Sequence, residues 1–467
     1  MNWDEFQHWG EHISKWAADY HKDIRNNPVR AQTDKGAIAA ALPASPPEGG
    51  EAMDAIMADF ERIVMPGITH WQHPRFFAYF PANAAPPSML AEMLVSTIAA
   101  QCMLWQTSPA ATEMEGVMVQ WLRQALGLPD GFSGVIQDSA SSATLSAVLT
   151  MREIASGWRG NKEGMSGQGC LRIYCSDQVH SSIDRACWVA GIGQDNLVKI
   201  GTDGSGASYA MDTEELQSRI TQDRAAGYIP AGIIAITGGT SIGAYDRHHA
   251  VLEIAKREGL YTHLDAAWAG SAMICPEYRD EFWAGVEGYD SIVFNPHKWL
   301  GAQFDCSIQF LRDPQHQINT LKIEPEYLKT AGEAVTNYSE WTIPLGRRFR
   351  ALKLWFLLRS YGLEGLRERI RNHVDWAHAL AARLEAHPKF EIVTQPILSL
   401  FTFKVTGMDN AAQLDFVERI NNDGRIYITQ TRVDDAVAIR FQIGQFDCTQ
   451  DDINAAYDVL CELAEAS

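Results

Sequence analysis

Ser291-Ile-Val-Phe-Asn-Pro-His-Lys-Trp-Leu-Gly301 is an apolar, β-branched run that gives way to Asn295, Pro296, His297, Lys298 and Trp299. The run predicts a buried strand, and the strand delivers one lysine to its carboxyl end. Lysine is seldom buried without a partner, because desolvating an ammonium is costly. Burial also lowers its pKa and frees the amine as a nucleophile toward an aldehyde. A lysine just past a strand is also an ordinary solvated loop residue, so neighbouring segments must decide between the two.

The main use of such a lysine is to hold pyridoxal phosphate (PLP) covalently. PLP needs a carboxylate that keeps its ring nitrogen protonated, and Gly259-Leu-Tyr-Thr-His-Leu-Asp265-Ala-Ala267 supplies one at the end of a predicted strand. The small residues after Asp265 let a flat ring lie against backbone. An aspartate there also suits a helix cap. PLP needs a phosphate cup as well. Ser133-Gly-Val-Ile-Gln-Asp-Ser139-Ala-Ser-Ser-Ala-Thr144 reads as a short strand, a run of small hydroxyl residues and a helix start, where amide groups and serine hydroxyls favour a dianion. A plain serine cap has the same pattern. In Leu171-Arg-Ile-Tyr-Cys-Ser-Asp-Gln-Val-His180 a strand ends and a histidine stands before the next helix. It is placed either to stack on a cofactor ring or simply to begin that helix. No G-x-x-x-x-G-K-[ST] and no G-x-G-x-x-G after a strand is present, which argues against a nucleoside triphosphate or NAD.

Composition sets the frame. The 467 residues are 46% hydrophobic and 21% charged, as expected of a globular chain with room for two or three domains. The net charge of −19 disfavours nucleic acid and anionic membrane surfaces. Eight cysteines are scattered without a C-x-x-C pair and read as reduced thiols, mostly in the core, with no zinc site expected. His248-His249 reads as a surface pair. The start, Met1-Asn-Trp-Asp-Glu-Phe6, has neither a basic nor an apolar leader region, and no apolar run approaches a membrane span. The expected location is the cytoplasm.

Trp3, Phe6, Trp9, Ile13, Trp16, Ala17 and Tyr20 recur near a 3.6 period and predict an amphipathic helix over residues 1–25. Leu42-Pro-Ala-Ser-Pro-Pro-Glu-Gly-Gly50 reads as a linker, and a second helix is expected around Ala52–Val64. Such a segment has no core of its own, and a partner subunit is the natural surface for it. From about residue 84 to 350, predicted strands at Gly134–Gln137, Leu171–Cys175, Gly232–Thr237, Leu260–Leu264 and Ser291–Asn295 alternate with helices, the pattern of a doubly wound parallel sheet. Ser141, His180, Thr240, Asp265 and Lys298 all fall at or just past strand ends, where such sheets gather function. A helix near Ala351–Tyr361 then leads to stretches at Phe390–Val393, Ser399–Val405 and Ala438–Ile443 that read as a small α+β lobe. Residues 319–338 are polar and aperiodic and read as a surface loop.

Taken together these segments resemble the group II PLP-dependent decarboxylases, of the aromatic-L-amino-acid decarboxylase family. The motifs that carry it are His73-Pro-Arg-Phe-Phe-Ala-Tyr-Phe-Pro81, Ser108-Pro-Ala-Ala-Thr-Glu113, Gly134–Thr144, Ser176-Asp-Gln-Val-His-Ser-Ser182, His263-Leu-Asp-Ala-Ala-Trp-Ala-Gly-Ser271, Asn295-Pro-His-Lys-Trp299 and Pro344-Leu-Gly-Arg-Arg-Phe-Arg-Ala-Leu-Lys353. The resemblance implies an α/β protein of the PLP-dependent transferase-like kind, fold type I. Its parts would be an N-terminal helical segment over 1–83 that embraces the partner of a homodimer, a large cofactor domain with a mostly parallel sheet of the seven-stranded type over 84–350, and a small α+β domain over 351–467. It implies Lys298, His180, Tyr327 and Asp265 as catalytic residues. It places Ala140, Ser141, Thr240, Ala267, Asn295 and His297, with His180, Asp265 and Lys298, around PLP. It implies a substrate pocket of Trp71, Tyr79, Phe80 and Pro81, with Met103 lent by the second subunit. Ala82 stands where many animal members carry threonine, which removes a hydroxyl able to bind a phenol. Arg347 stays unassigned between a carboxylate contact and a structural ion pair. The expected reaction is decarboxylation of aromatic L-amino acids to amines. The alternatives are an aldehyde synthase that also deaminates oxidatively, a class that tends to lose the loop tyrosine, and an inactive binding protein.

Overall fold

The computed structural model describes residues 1–203, 208–323 and 335–466. Tyr327, the expected loop tyrosine, lies outside the described residues. The chain divides into two compact units.

The larger unit comprises Ala82–Asp375 with Thr394–Phe401. Its core is a seven-stranded sheet built from β1 (Ser133–Gln137), β2 (Leu171–Ser176), β3 (Leu197–Ile200), β4 (Ile229–Ile236), β5 (Tyr261–Asp265), β6 (Ser291–Phe294) and β7 (Ser307–Leu311). The order is β1-β7-β6-β5-β4-β2-β3. β6, β5, β4, β2 and β3 are parallel. β7 alone runs against them and against β1. β5 and β6 are buried along their whole length, as expected of strands in a sheet covered on both faces; in β5 the buried polar His263 is satisfied by Thr144 and Ser291. Helices such as Ala140–Ala155 and His248–Glu258 pack on the sheet.

The sheet was legible as mostly parallel, although neither β3 nor the reversed β7 was read from sequence. His248 is a correction. It is buried, with Nδ1 3.0 Å from the Tyr289 hydroxyl and Nε2 3.0 Å from Thr237 Oγ1; only His249 is exposed. The helix expected near Ala351–Tyr361 runs over Ala351–Glu385, broken at Gly362, whose φ of 62° suits glycine. Of the eight cysteines six are buried, and all are free.

The second unit comprises Met1–Pro81, Trp376–Val393 and Thr402–Ser467. Its first helix, Trp3–Asp23, opens on a capping box in which Asn2 and Glu5 satisfy each other's amides, and it buries none of its residues. After a short helix at Ala37–Ala41 comes Met53–Asp59, followed by a π-turn over Phe60–Val64. A four-stranded sheet has the order β10-β11-β9-β8, with β8 (Phe390–Ile397), β9 (Leu400–Val405), β10 (Thr429–Val433) and β11 (Ala436–Gln442). Among the described residues no helix is long and apolar enough to cross a membrane, and no cluster suits a metal ion.

Candidate active site

Four of the expected residues share one placement. Ser141, His180, Thr240 and Lys298 each stand four positions beyond a strand's last residue, namely Gln137, Ser176, Ile236 and Phe294. Asp265 is itself the last residue of β5. These strands are parallel, so the five residues gather at one edge of the sheet.

Backbone contacts stitch the loops together. Thr237 N–H donates to the Asp265 carbonyl at 3.0 Å, and Asn295 N–H to the Ala267 carbonyl at 2.9 Å. A Cβ at Gly239 would come within 3.0 Å of the Gln178 carbonyl, and one at Gly238 within 2.5 Å of Ala269 Cβ. The loop carrying Thr240 therefore presses on both the His180 loop and the Asp265 loop, and glycine is what permits it. Ala140, Ala143 and Val293 form a small apolar cluster with Ala267 against it. That cluster joins the helix start to the turn after β5.

Lys298 lies in a π-helical turn, Pro296–Leu300, and is half-buried rather than buried. The turn is fixed from both sides. Asn83 donates its backbone N–H to the His297 carbonyl at 3.1 Å and its side-chain amide to the Lys298 carbonyl at 2.8 Å. Trp299 is fully buried, stacks on Trp268 with centroids 5.0 Å apart, and donates Nε1–H to His373 Nδ1 at 2.9 Å. The fully buried lysine nearby is instead Lys353, whose Nζ meets the Gln303 side-chain and backbone oxygens and lies 3.5 Å from Glu92. Burial lowers its pKa, but its partners mark it as structural.

Asp265 is 8% exposed. Its Oδ1 accepts the Ala267 N–H at 3.0 Å, and its Oδ2 takes no hydrogen bond among the described residues. At the cup, Ser139 Oγ accepts the Ser142 N–H at 3.2 Å, while the amides of Ala140 and Ser141 donate to nothing among the described residues. Asn295 is buried, and its Oδ1 accepts the Ser307 hydroxyl at 2.7 Å. Its Nδ2 hydrogens have no partner among the described residues. The set fits PLP, with unsatisfied donors for a phosphate and an unsatisfied carboxylate oxygen for a protonated ring nitrogen.

The histidines are held neutral. His297 is buried, and Nδ1 accepts the Cys306 N–H at 2.9 Å; burial, with Lys298 beside it, pushes its pKa down to about 3. His180 is exposed as a whole residue, yet its ring is desolvated enough to titrate below the usual histidine range. Asp265 opposes that shift and Lys298 adds to it, so the three groups sense one another. Ser182 N–H donates to His180 Nδ1 at 3.1 Å, which puts the proton of the neutral ring on Nε2.

Arg347 resolves to an ion pair. It is buried, and Nη2 lies 2.6 Å from Glu115 Oε1 and 2.8 Å from the Ile136 carbonyl. Met103 accepts the Ser339 N–H on its carbonyl at 3.0 Å and belongs to the larger unit. In the smaller unit, Trp71 and Tyr79 stack with centroids 5.8 Å apart, and Phe80 and Pro81 are buried beside them in sequence. Arg440, which sequence reasoning passed over, is buried there. Its guanidinium stands 4.6 Å from the Phe80 ring and donates to the Tyr79 carbonyl. The signal was a charge inside the apolar run Ala436-Val-Ala-Ile-Arg-Phe441.

The pyridoxal-dependent decarboxylase conserved domain matches residues 36–406. The chain belongs to that family, and PLP is its cofactor. It is similar over its whole length to the aromatic-L-amino-acid decarboxylase of Cavia porcellus, at 37% identity over 481 residues and 98% of that protein. It is equally similar to the phenylacetaldehyde synthase of Arabidopsis thaliana, at 37% over 479 residues, 99% of this chain and 96% of that one. A TDC from Oryza sativa, solved with PLP and tryptamine, superposes with a TM-score of 0.96 at 32% identity, covering all of this chain and 99% of that one.

Proposed function

We propose that this decarboxylase acts on aromatic L-amino acids, releasing CO2 and the corresponding arylalkylamine. The observation that carries the reading is the matched donor and acceptor set at one sheet edge, in a chain similar throughout to an aromatic-L-amino-acid decarboxylase.

In this reading Lys298 would hold PLP covalently. Ala140, Ser141 and Asn295 would bind the phosphate, and Thr240, Ala267 and His297 would surround the ring. Bound PLP supplies a sink for the electron pair left at Cα when CO2 departs. Asp265 maintains that sink by keeping the ring nitrogen protonated. His180, neutral with its proton on Nε2, would stack on the ring and donate to the substrate carboxylate. A proton must then return to Cα, from Tyr327 or from His180 through water. Trp71, Tyr79, Phe80 and Pro81, with Met103 from a second subunit, form apolar walls suited to a flat ring and carry no cation for an acidic side chain.

The chain acts as a homodimer in this reading. Trp3, Phe6 and Ile13 stand exposed on the first helix, and Leu90, Met93, Leu94 and Ile98 form an exposed stripe along Pro86–Ile98. Apolar stripes of this kind are normally covered, and sedimentation at micromolar concentration would read a dimer.

Aldehyde formation is the second reading, favoured by the equal similarity to the phenylacetaldehyde synthase. Retention of Tyr327 favours the amine. The test is a panel of L-Trp, L-Tyr, L-Phe, L-DOPA, 5-hydroxy-L-Trp and L-Glu with CO2, amine and peroxide all quantified. Amine equal to CO2 on at least two aromatic substrates is expected. Aldehyde and peroxide matching CO2 would select the second reading, and faster turnover of glutamate would overturn the pocket.

A further inference from the structure

The conformation of Tyr79 calls for an explanation that the roles above do not give. Its φ is 45°, a left-handed backbone that bulky residues rarely adopt and that persists only where the surroundings over-determine it. The surroundings here do so. Arg440 holds the carbonyl, Trp71 stacks on the ring, and the Tyr427 hydroxyl lies 3.4 Å from the Tyr79 hydroxyl. Tyr79 is nevertheless 49% exposed. A residue held at its backbone carbonyl and at two points of its side chain, yet half open, is arranged to meet something.

Tyr427 is itself firmly placed. Its carbonyl accepts the Phe77 N–H at 2.8 Å, its N–H donates to the Arg75 carbonyl at 3.2 Å, and its ring stands edge-on to Phe76 at 5.3 Å. It lies beyond the family match at residues 36–406, and the resemblance gives it no role.

A phenol has one hydrogen and two lone pairs. With Tyr427 donating, one lone pair of Tyr79 is used and the rotation of its hydroxyl is restricted. The hydrogen and the second lone pair remain to be offered. We infer that Tyr427 is a specificity-determining positioning residue, which fixes the Tyr79 hydroxyl as a directed hydrogen-bonding group for a polar atom on the substrate ring. The inference rests on Trp71 and Tyr79 being walls of the substrate pocket. The substrate class it selects is aromatic L-amino acids with a ring hydroxyl or an indole N–H, over phenylalanine. It supplies the polar contact that Ala82, lacking a hydroxyl, does not.

The test compares tyrosine with phenylalanine on the holoenzyme, for the wild type, Tyr427→Phe, Tyr79→Phe and the double variant. Each substitution removes a single oxygen. The ratio of kcat/KM for tyrosine to that for phenylalanine should fall roughly two- to tenfold in Tyr427→Phe, the worth of one hydrogen bond, and the fall should sit in KM. Tyr79→Phe should lower the ratio at least as far, and the double variant no further, because both oxygens serve one contact. Calorimetric binding of tyramine against phenylethylamine should show the same change without turnover. An equal loss for both substrates would make Tyr427 structural and overturn the inference. So would an unchanged ratio in Tyr427→Phe where Tyr79→Phe lowers it. If Tyr79→Phe and Trp71→Ala both leave KM for every aromatic substrate at the wild-type value, the pocket reading itself fails, and the inference fails with it.

Discussion

Asn83 donates its side-chain amide to the Lys298 carbonyl at 2.8 Å, across 215 positions of sequence. Asn83 is fully buried, and its own N–H binds the neighbouring His297 carbonyl. The short segment it belongs to therefore clamps the turn that presents the lysine. Asn83→Ala leaves the Lys298 carbonyl without that donor. It should lower stability by about 1–3 kcal/mol and weaken PLP binding in an absorbance titration of the apoenzyme. Unchanged cofactor affinity would mean that the clamp does not position Lys298.

Asp265→Ala should cut turnover by several orders of magnitude. A group that shifts the ring nitrogen's pKa by one unit is worth about 1.4 kcal/mol, and this carboxylate is buried with one oxygen unengaged among the described residues. Asp265→Asn should fail similarly, since it keeps the shape and loses the charge. Single-turnover CO2 release checks this, and an active Asp265→Ala enzyme would remove Asp265 from the role.

His180 should act neutral. Burial and Lys298 hold its pKa below the usual histidine range despite Asp265, so the acid limb of kcat/KM should lie below the ordinary value of about 6.5. Stability should follow the same direction. His263 and His297, pushed down to about 4 and about 3 by burial, stay uncharged in the folded chain, while the unfolded chain takes up protons from about pH 6.5 downward. Their contribution is therefore complete above that pH and is lost as pH falls toward 4. Urea titrations at pH 7.5, 6 and 5 would read it, and a midpoint that rises on acidification would contradict it.

Much of this site was legible, for a definite reason. Lys298 and His180 follow short, mostly apolar segments that stop at polar residues, and Asp265 ends a strand ahead of a run of small residues; in a parallel sheet such ends fall on one edge. Periodicity reports burial but not partners. It identified Ser291–Asn295 as a buried strand, which the structure bounds at Ser291–Phe294, yet nothing in it placed Asn83 against Lys298 or Glu115 against Arg347. The reversed β7 and the short β3 were missed because neither direction nor length is written in an apolar run of four or five residues. His248 was misread because a His-His pair looks polar until Tyr289 and Thr237 satisfy its ring. Arg440 and Tyr427 were passed over because their partners lie some 360 and 350 residues away.

Tyr327→Phe should divert the reaction rather than stop it. Loss of CO2 precedes the step assigned to the tyrosine, so decarboxylation should continue. Slower return of the proton to Cα leaves time for oxygen to react, giving aldehyde, ammonia and peroxide. Product analysis under air and under nitrogen checks it. Amine alone at the wild-type rate would exclude Tyr327 as the donor.

Borohydride reduction followed by peptide mapping tests the central assignment most directly. In the holoenzyme the reduced cofactor should be found on the peptide that carries Lys298 and on no other. Lys298→Ala should lose the label and nearly all turnover, while still binding some PLP through the Ala140–Ser141 cup and Asp265. Label on any other lysine, Lys353 included, would contradict the account.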